Sequence, residues 1–231
     1  LILYFHSPQS VYSQYQVGVK WAARYAGFGN FDWVDQSRDI AVDAQLNVYV
    51  TGSRWGNGPD NDIVTIKYNS SGVQQWIAEF MTEDDDDGNA LAVDNAGNVY
   101  VVGTSFVTAT GKDMVTIKYN PSGSVLWERR LLLNLEDWGR DIAVDASGNV
   151  YITGTSTSAG GGADYFTVKF NAAGTPLWVA RYDNNYDDNA YSILVDAAGN
   201  VYVTGNSTNT NIDYCTIKYN SSGVQQWALR Y

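Results

Sequence analysis

The sequence predicts an all-β fold, a β-propeller of four complete four-stranded blades with a surplus N-terminal strand or partial blade. Three observations lead there. The Asp that closes an AVD or LVD triplet recurs at Asp43, Asp94, Asp145 and Asp196, 51 residues apart each time. Each unit carries four short runs of β-branched or alternating apolar residues, bounded by turn residues. No run shows the apolar period of a helix, and four short strands repeated every 50 or so residues is the pattern of propeller blades.

The elements follow in chain order. The first strand is short: DIAVD at 39–43, with counterparts at 90–94, 141–145 and 192–196. The second is NVYVTG at 47–52, repeated with small changes at 98–103, 149–154 and 200–205. Between them D-x-x-G-N forms a tight hairpin, because Asp caps the turn and Gly accepts a positive φ. The first unit has Leu46 where the Gly stands, so that turn has to adapt. The third strand is IVTIKYN at 63–69 and its equivalents, followed by a second hairpin, N-x-x-G. The fourth runs from Val73 through Trp76 to Phe80, and its Trp recurs at Trp127, Trp178 and Trp227. The last unit is two residues shorter than the others, all of it between Gly205 and Asp213, which marks that stretch as a loop. The repeats span about 26–80, 81–131, 132–182 and 183–231, so the propeller is 26–231 and residues 1–25 are an N-terminal extension.

On the third strand Val64, Ile66 and Tyr68 share one face, and Thr65 and Lys67 share the other. Blades pack face to face, so the repeated Thr and Lys need partners. The repeated pattern AVD-x-x-GNVYVTG … D-x-x-TIKYN-x-x-G-x-x-x-W resembles the SBBP family of bacterial β-propeller repeats and, more distantly, NHL-type blades. That resemblance implies a propeller, exported or surface-associated and prokaryotic, with no family-wide catalytic chemistry.

GVKWAARY at 18–25 is similar to GVQQWALRY at 223–231, a fourth strand with no legible blade before it. Three arrangements fit: a partial fifth blade, a strand outside a closed four-bladed ring, or a strand paired with another subunit. An unfilled strand slot attracts strands, and a head-to-tail contact that does not close makes a polymer. The partners expected are therefore copies of the chain itself, joined head to tail by exchange of the N-terminal strand. The alternative is a module that binds glycans or surface proteins through an acidic loop face, and after it a carbohydrate-active enzyme.

The acidic positions repeat as well. Asp35, Asp86, Asp137 and Asp188 each lie eight residues before the aligned Asp, in the link between one blade and the next. Four carboxylates so placed form a ring or four separate oxygen-rich metal sites suited to Ca²⁺, or each caps a turn through backbone N–H groups. The run Glu83–Asp87 reads as a solvated loop or a cation site, without the spaced pattern of an EF-type loop. Asp62, Asp113, Asp164 and Asp213 read as turn caps, and Lys67, Lys118, Lys169 and Lys218 as packed, paired ammoniums. Trp55 lies in a loop where it packs locally or stacks on a sugar.

Catalysis finds little support. His6 is the single histidine and lies in the atypical N-terminal segment, so neither a Ser-His-Asp arrangement nor a zinc cluster can be built. An active site breaks repeat symmetry, whereas these Asp residues keep it. The expectation is no enzyme and no required cofactor. A net charge of −11 disfavours nucleic acid, and no apolar stretch is long enough to span a membrane. Charged residues make up only 17% of the chain and Cys215 is its single cysteine, which suits an extracellular or cell-surface protein held together by its core. Cys215 stands where other repeats have Val or Phe and is expected to be buried.

Overall fold

The computed structural model describes residues 21–23, 35–55, 60–132, 136–157 and 162–231. The described residues contain sixteen strands and no helix. The first blade is β1 (Gln36–Val42), β2 (Val48–Trp55), β3 (Asn61–Tyr68) and β4 (Gln74–Phe80). The second is β5 (Asp86–Val93), β6 (Val99–Val107), β7 (Gly111–Tyr119) and β8 (Val125–Leu131). The third is β9 (Asp137–Val144), β10 (Val150–Thr157), β11 (Ala163–Phe170) and β12 (Pro176–Tyr182). The fourth is β13 (Asp188–Val195), β14 (Val201–Thr208), β15 (Ile212–Tyr219) and β16 (Gln225–Arg230). Each blade is one antiparallel sheet with its strands in sequence order. The four-bladed all-β propeller architecture is as the repeats predict.

The hairpins explain why the strands stop where they do. In the second blade the Asp94 carboxylate accepts hydrogen bonds from the Ala96 and Asn98 amides, the Asn98 side chain and the Tyr100 hydroxyl, all at 2.7–2.9 Å. Gly97 turns the corner at φ 81°, and in the first blade Leu46 makes the same turn at φ 64°. The turn adapts by placing a leucine in the left-handed region rather than by changing shape. Burial raises the Asp94 pKa, but these hydrogen bonds outweigh it and hold the carboxyl below its usual range.

One feature was not legible. Every first strand carries a β-bulge, at Arg38, Asn89, Arg140 and Tyr191, where the register against the second strand slips by one. The glycine that ends each of these second-strand runs, Gly52, Gly103, Gly154 and Gly205, sits under that bulge. A Cβ on Gly103 would collide with the Asp87 carbonyl, and one on Gly205 with the Asn189 carbonyl. The glycine in NVYVTG is therefore a bulge requirement, and the bulge starts each first strand earlier than the triplet suggests.

The core lies between blades. The first strand of each blade packs on the first three strands of the blade before it: β5 on β1, β2 and β3, then β9 on β5, β6 and β7, then β13 on β9, β10 and β11. Among the described residues no junction of comparable extent joins the fourth blade back to the first. Among the described residues the four blades therefore stand in a row rather than in a closed ring. Residues 1–20, including His6, and residues 24–34 lie outside the described residues, so the strand expected at 18–25 is described only at Trp21–Ala23, which are in no strand.

Candidate functional site

The three internal junctions share one design. A large side chain from the third strand of one blade reaches the bulge glycine of the next. A Cβ on Gly103 would lie 3.0 Å from Ile63, one on Gly154 2.9 Å from Met114, and one on Gly205 2.7 Å from the Tyr165 hydroxyl. The fourth-strand Trp then stacks over the N-x-x-G hairpin of the next blade. Trp76 lies 6.3 Å from Tyr119, Trp127 6.3 Å from Phe170 and Trp178 6.2 Å from Tyr219, with interplanar angles of 37–39°. Each indole N–H donates to a carbonyl of that hairpin: Pro121, Ala172 and Ser221. At the first and third junctions a carboxylate adds a clamp. Asp39 accepts the Leu91 amide, and Asp141 accepts the Ile193 amide and the Ser192 hydroxyl, each at 2.8 Å.

Among the described residues the faces at the two ends of the row repeat these surfaces without a neighbouring blade. Tyr214 holds the position of Ile63, Met114 and Tyr165 in the fourth blade and is 76% exposed, whereas those three are fully buried. Leu194 and Leu229 are exposed in the same blade. At the other end Ile40 is 63% exposed, while its counterpart Leu91 in the second blade is 6% exposed. A cavity of about 410 Å³ opens on that face, lined by Trp21, Asp35, Ile40, Val50 and Gly52 among others. Trp21 lies over Tyr68 at 6.1 Å and 32°, and over Gly72.

The acidic residues expected as metal ligands take a different place from the linking loops in which the sequence puts them. Asp86, Asp137 and Asp188 are the first residues of β5, β9 and β13 and are fully buried, while Asp35 is exposed beside the cavity. Among the described residues no three of the four bring their oxygens together. Asp86 accepts the Thr82 amide at 2.9 Å and Asp188 the Asn184 amide at 2.8 Å, each closing the link between blades. Burial pushes the Asp86 carboxyl up to about 6, against the pull of hydrogen bonds from Ser105 and Thr82. Asp188 is raised for the same reason.

Asp188 also meets Asp164 and Asp183, with one oxygen from each within 4.8 Å of the others. Asp183 stands where the earlier blades have Met81 and Leu132, so this cluster occurs only at the last junction. Arg181 neutralises Asp164 at 2.7 Å, and Asp183 is exposed to solvent. Among the described residues these three are the acidic group whose oxygens lie close enough to share a cation.

The remaining repeated charges are paired. Each third-strand Lys lies over the second-strand Tyr of its own blade, at 4.9–5.3 Å from the ring centroid: Lys67 on Tyr49, Lys118 on Tyr100, Lys169 on Tyr151 and Lys218 on Tyr202. Lys118 and Lys169 also donate to the Ala172 and Ser221 carbonyls of the following hairpin. The third-strand Asp residues are ion-pair partners more than turn caps. Asp62 pairs with Arg54, Asp164 with Arg181 and Asp213 with Arg230, while Asp113 accepts the Thr110 hydroxyl. Cys215 is buried and free, as expected. Trp55 ends β2, and residues 56–59 of its loop lie outside the described residues. Trp33, outside the repeat, lies there too. Sequence reasoning missed Asp39 and Asp141 because the clamp appears in alternate repeats; the equivalent position is Ala90 in the second blade and Ser192 in the fourth.

Comparison with known proteins agrees with this architecture. Three segments, residues 75–106, 135–162 and 179–213, match the SBBP β-propeller repeat. The resemblance read from the repeats is borne out. A WD repeat-containing protein, L264, of Acanthamoeba polyphaga mimivirus is 24% identical over 209 residues. The match covers 68% of this chain, and the chain spans only 15% of that protein's length. A crystal structure of a protein of unknown function from Dyadobacter fermentans superposes with a TM-score of 0.57 at 10% identity, covering 85% of this chain and 69% of that one. An α-L-arabinofuranosidase from Clostridium thermocellum superposes with a TM-score of 0.45 at 13% identity, covering 86% of this chain and 73% of that one. Likeness at these identities concerns the fold alone.

Proposed function

We propose that the chain is a non-catalytic structural and interaction module of the cell exterior, which joins copies of itself through the end faces of its blade row. The observation that carries this is the fourth blade's outer face. Tyr214 is exposed there in the position that every internal junction buries, and Leu194 and Leu229 are exposed where the earlier blades carry the half-buried Ala41, Ala92 and Ala143 and the packed Ala78, Arg129 and Ala180. Large apolar side chains exposed on one sheet face mark an association surface. Its natural complement is the first blade of another copy, because the second, third and fourth blades each present that surface to the blade before them. Such a contact is heterologous, and it ends in a larger ring if the rotation closes or in a filament if it does not. The low charged fraction and the single buried cysteine suit an exported protein.

Sedimentation velocity over a concentration series, with electron microscopy of the same samples, tests this. The expected result is a species larger than the monomer that grows with concentration and disappears in Leu229→Glu. A uniform monomer at every concentration, in the wild type and in Trp21→Ala alike, refutes it.

A further inference from the structure

At the third junction three carboxylates converge. Asp164 stands near the start of β11, Asp183 follows β12 in the link, and Asp188 opens β13. One oxygen of each lies within 4.8 Å of the other two. Asp188 is fully buried and Asp164 is 2% exposed, while Asp183 faces solvent. Asp188 Oδ2 accepts the Asn184 amide, and its buried Oδ1 has no hydrogen-bond partner among the described residues. Arg181 takes one Asp164 oxygen at 2.7 Å. Three carboxylates and one guanidinium leave two negative charges in a largely buried place. Burial raises the Asp164 pKa, Arg181 lowers it, and the charges of Asp183 and Asp188 raise it again.

The first junction shows what such a place takes. In each blade one residue of the second strand lies directly opposite the third-strand Asp. It is Arg54 opposite Asp62 in the first blade and Ser156 opposite Asp164 in the third. The Arg54 guanidinium is buried, and its Nη2 lies 3.6 Å from Asp62 and 3.9 Å from the Met81 sulfur. Asp62 aligns with Asp164 and Met81 with Asp183. A side-chain cation therefore sits at the first junction where the carboxylates gather at the third. Glu79, which pairs with Arg54 at 2.7 Å, aligns with Arg181. Ser156 carries no charge in exchange for that of Arg54. It is fully buried, and its hydroxyl has no hydrogen-bond partner among the described residues. Opposed residues of an antiparallel pair share a face, so that hydroxyl stands beside Asp164.

We propose that a Ca²⁺ ion binds among Asp164, Asp183 and Asp188, in the place that the Arg54 guanidinium holds at the first junction. Ca²⁺ takes oxygen ligands at about 2.3–2.6 Å in irregular shells, so two of its ligands stand up to about 5 Å apart, whereas Mg²⁺ demands a tighter octahedron at about 2.0–2.1 Å. A divalent ion balances the two uncompensated charges, and solvent reaches it from the Asp183 side. The ion joins the start of β11 to the link and to the start of β13, so it ties the third blade to the fourth. Met81 and Leu132 stand in the place of Asp183 at the other internal junctions, which restricts this site to the third.

The test is calorimetric titration of CaCl₂ into the chelator-treated full chain, with thermal melts of the same samples. The expected result is a single Ca²⁺ bound per chain. At about a hundred times its Kd the ion raises Tm by roughly 5–10 °C. Binding is at least about tenfold weaker in Asp183→Asn, because affinity follows the charge of the ligand set. The asparagine keeps an oxygen to accept the Asn185 amide, as Asp183 does at 2.6 Å, and a melt without Ca²⁺ verifies that this variant is folded. Glu83→Gln removes one negative charge from the acidic run at the first junction and leaves binding unchanged. No heat and no Tm shift in the wild type overturns the site, as does wild-type affinity in Asp183→Asn. An equal loss in Glu83→Gln also overturns it, since the ion would then be held by diffuse acidic charge. Mg²⁺ binding as tightly as Ca²⁺ overturns the assignment to calcium.

Discussion

Tyr165 and Tyr214 occupy the same register position in consecutive blades, and the open row predicts that their removal has very different consequences. Tyr165 is fully buried, packs edge-on against Tyr182 at 5.7 Å, and donates its hydroxyl to the Cys215 carbonyl across the junction at 3.1 Å. Truncating a buried aromatic to Ala costs about 3–5 kcal/mol, and the lost hydrogen bond adds about 1 kcal/mol. For a chain of this size each kcal/mol lowers Tm by roughly 2–4 °C, so Tyr165→Ala should melt on the order of 10 °C or more below the wild type. Tyr214 is 76% exposed, and surface truncations of that kind stay within about 0.5 kcal/mol. Urea denaturation followed by tryptophan fluorescence, at protein concentrations low enough to keep the chain monomeric, measures both. If Tyr214→Ala costs as much as Tyr165→Ala under those conditions, the fourth blade's face is covered within the monomer, the row is closed, and the end-face reasoning fails.

Asp141→Ala should destabilise by about 2–4 kcal/mol in the same denaturation assay, because it leaves the buried Ile193 amide without its acceptor and removes bonds to Ile142 and Ser192. Asp39→Ala should cost a comparable amount at the first junction, where Leu91 donates; a negligible cost for both would show that the carboxylate clamps do not hold the blades. Asp86 has a folded pKa of about 6 against 3.8 in the unfolded chain, so the penalty for its ionisation is absent below pH 3.8, grows as pH rises to 6 and is complete above it. Asp86→Asn should thus stabilise more at pH 7.5 than at pH 4, by up to about 3 kcal/mol, with equal effects at both pH values as the refuting result. For Asp145 burial raises the pKa but bonds from Asn149, Tyr151 and Ser147 prevail and lower it, so its contribution is present above the unfolded pKa and lost as pH falls through the folded one. Asp145→Ala should therefore destabilise at neutral pH, with the difference from wild type shrinking in acid.

The repeat made most of each blade legible because the determinants are local. Two hairpins, alternating faces and one Trp are set within a few residues of each other, and Leu46 shows how little the turn depends on the glycine once Asp43 supplies its acceptor oxygens to the Gln45 and Asn47 amides. The pairing of Lys67 with Tyr49 is similarly local to one sheet. What the sequence hid is what depends on the next blade. The buried carboxylates of Asp86 and Asp188 look like members of solvated acidic runs, and only the linking backbone that folds back over them reveals acceptors for the Thr82 and Asn184 amides. The closure of the ring is hidden for the same reason. A fifty-one-residue period fixes what each blade is, whereas the angle between blades follows from the volumes pressed into each glycine notch.

Those notches hold side chains of quite different shape, Ile63, Met114 and Tyr165, so the junction tolerates variation while keeping its geometry. Under the proposed association, the same tolerance lets a fourth such face, built around Tyr214, receive a first blade. In a stacked array each internal blade gains its stability from two neighbours and each terminal blade from one. Under the proposed association, a first blade seated on the fourth blade's face gives Tyr214 the contacts that Tyr165 has at the third junction, and Lys218 the hairpin carbonyl that Lys118 and Lys169 reach.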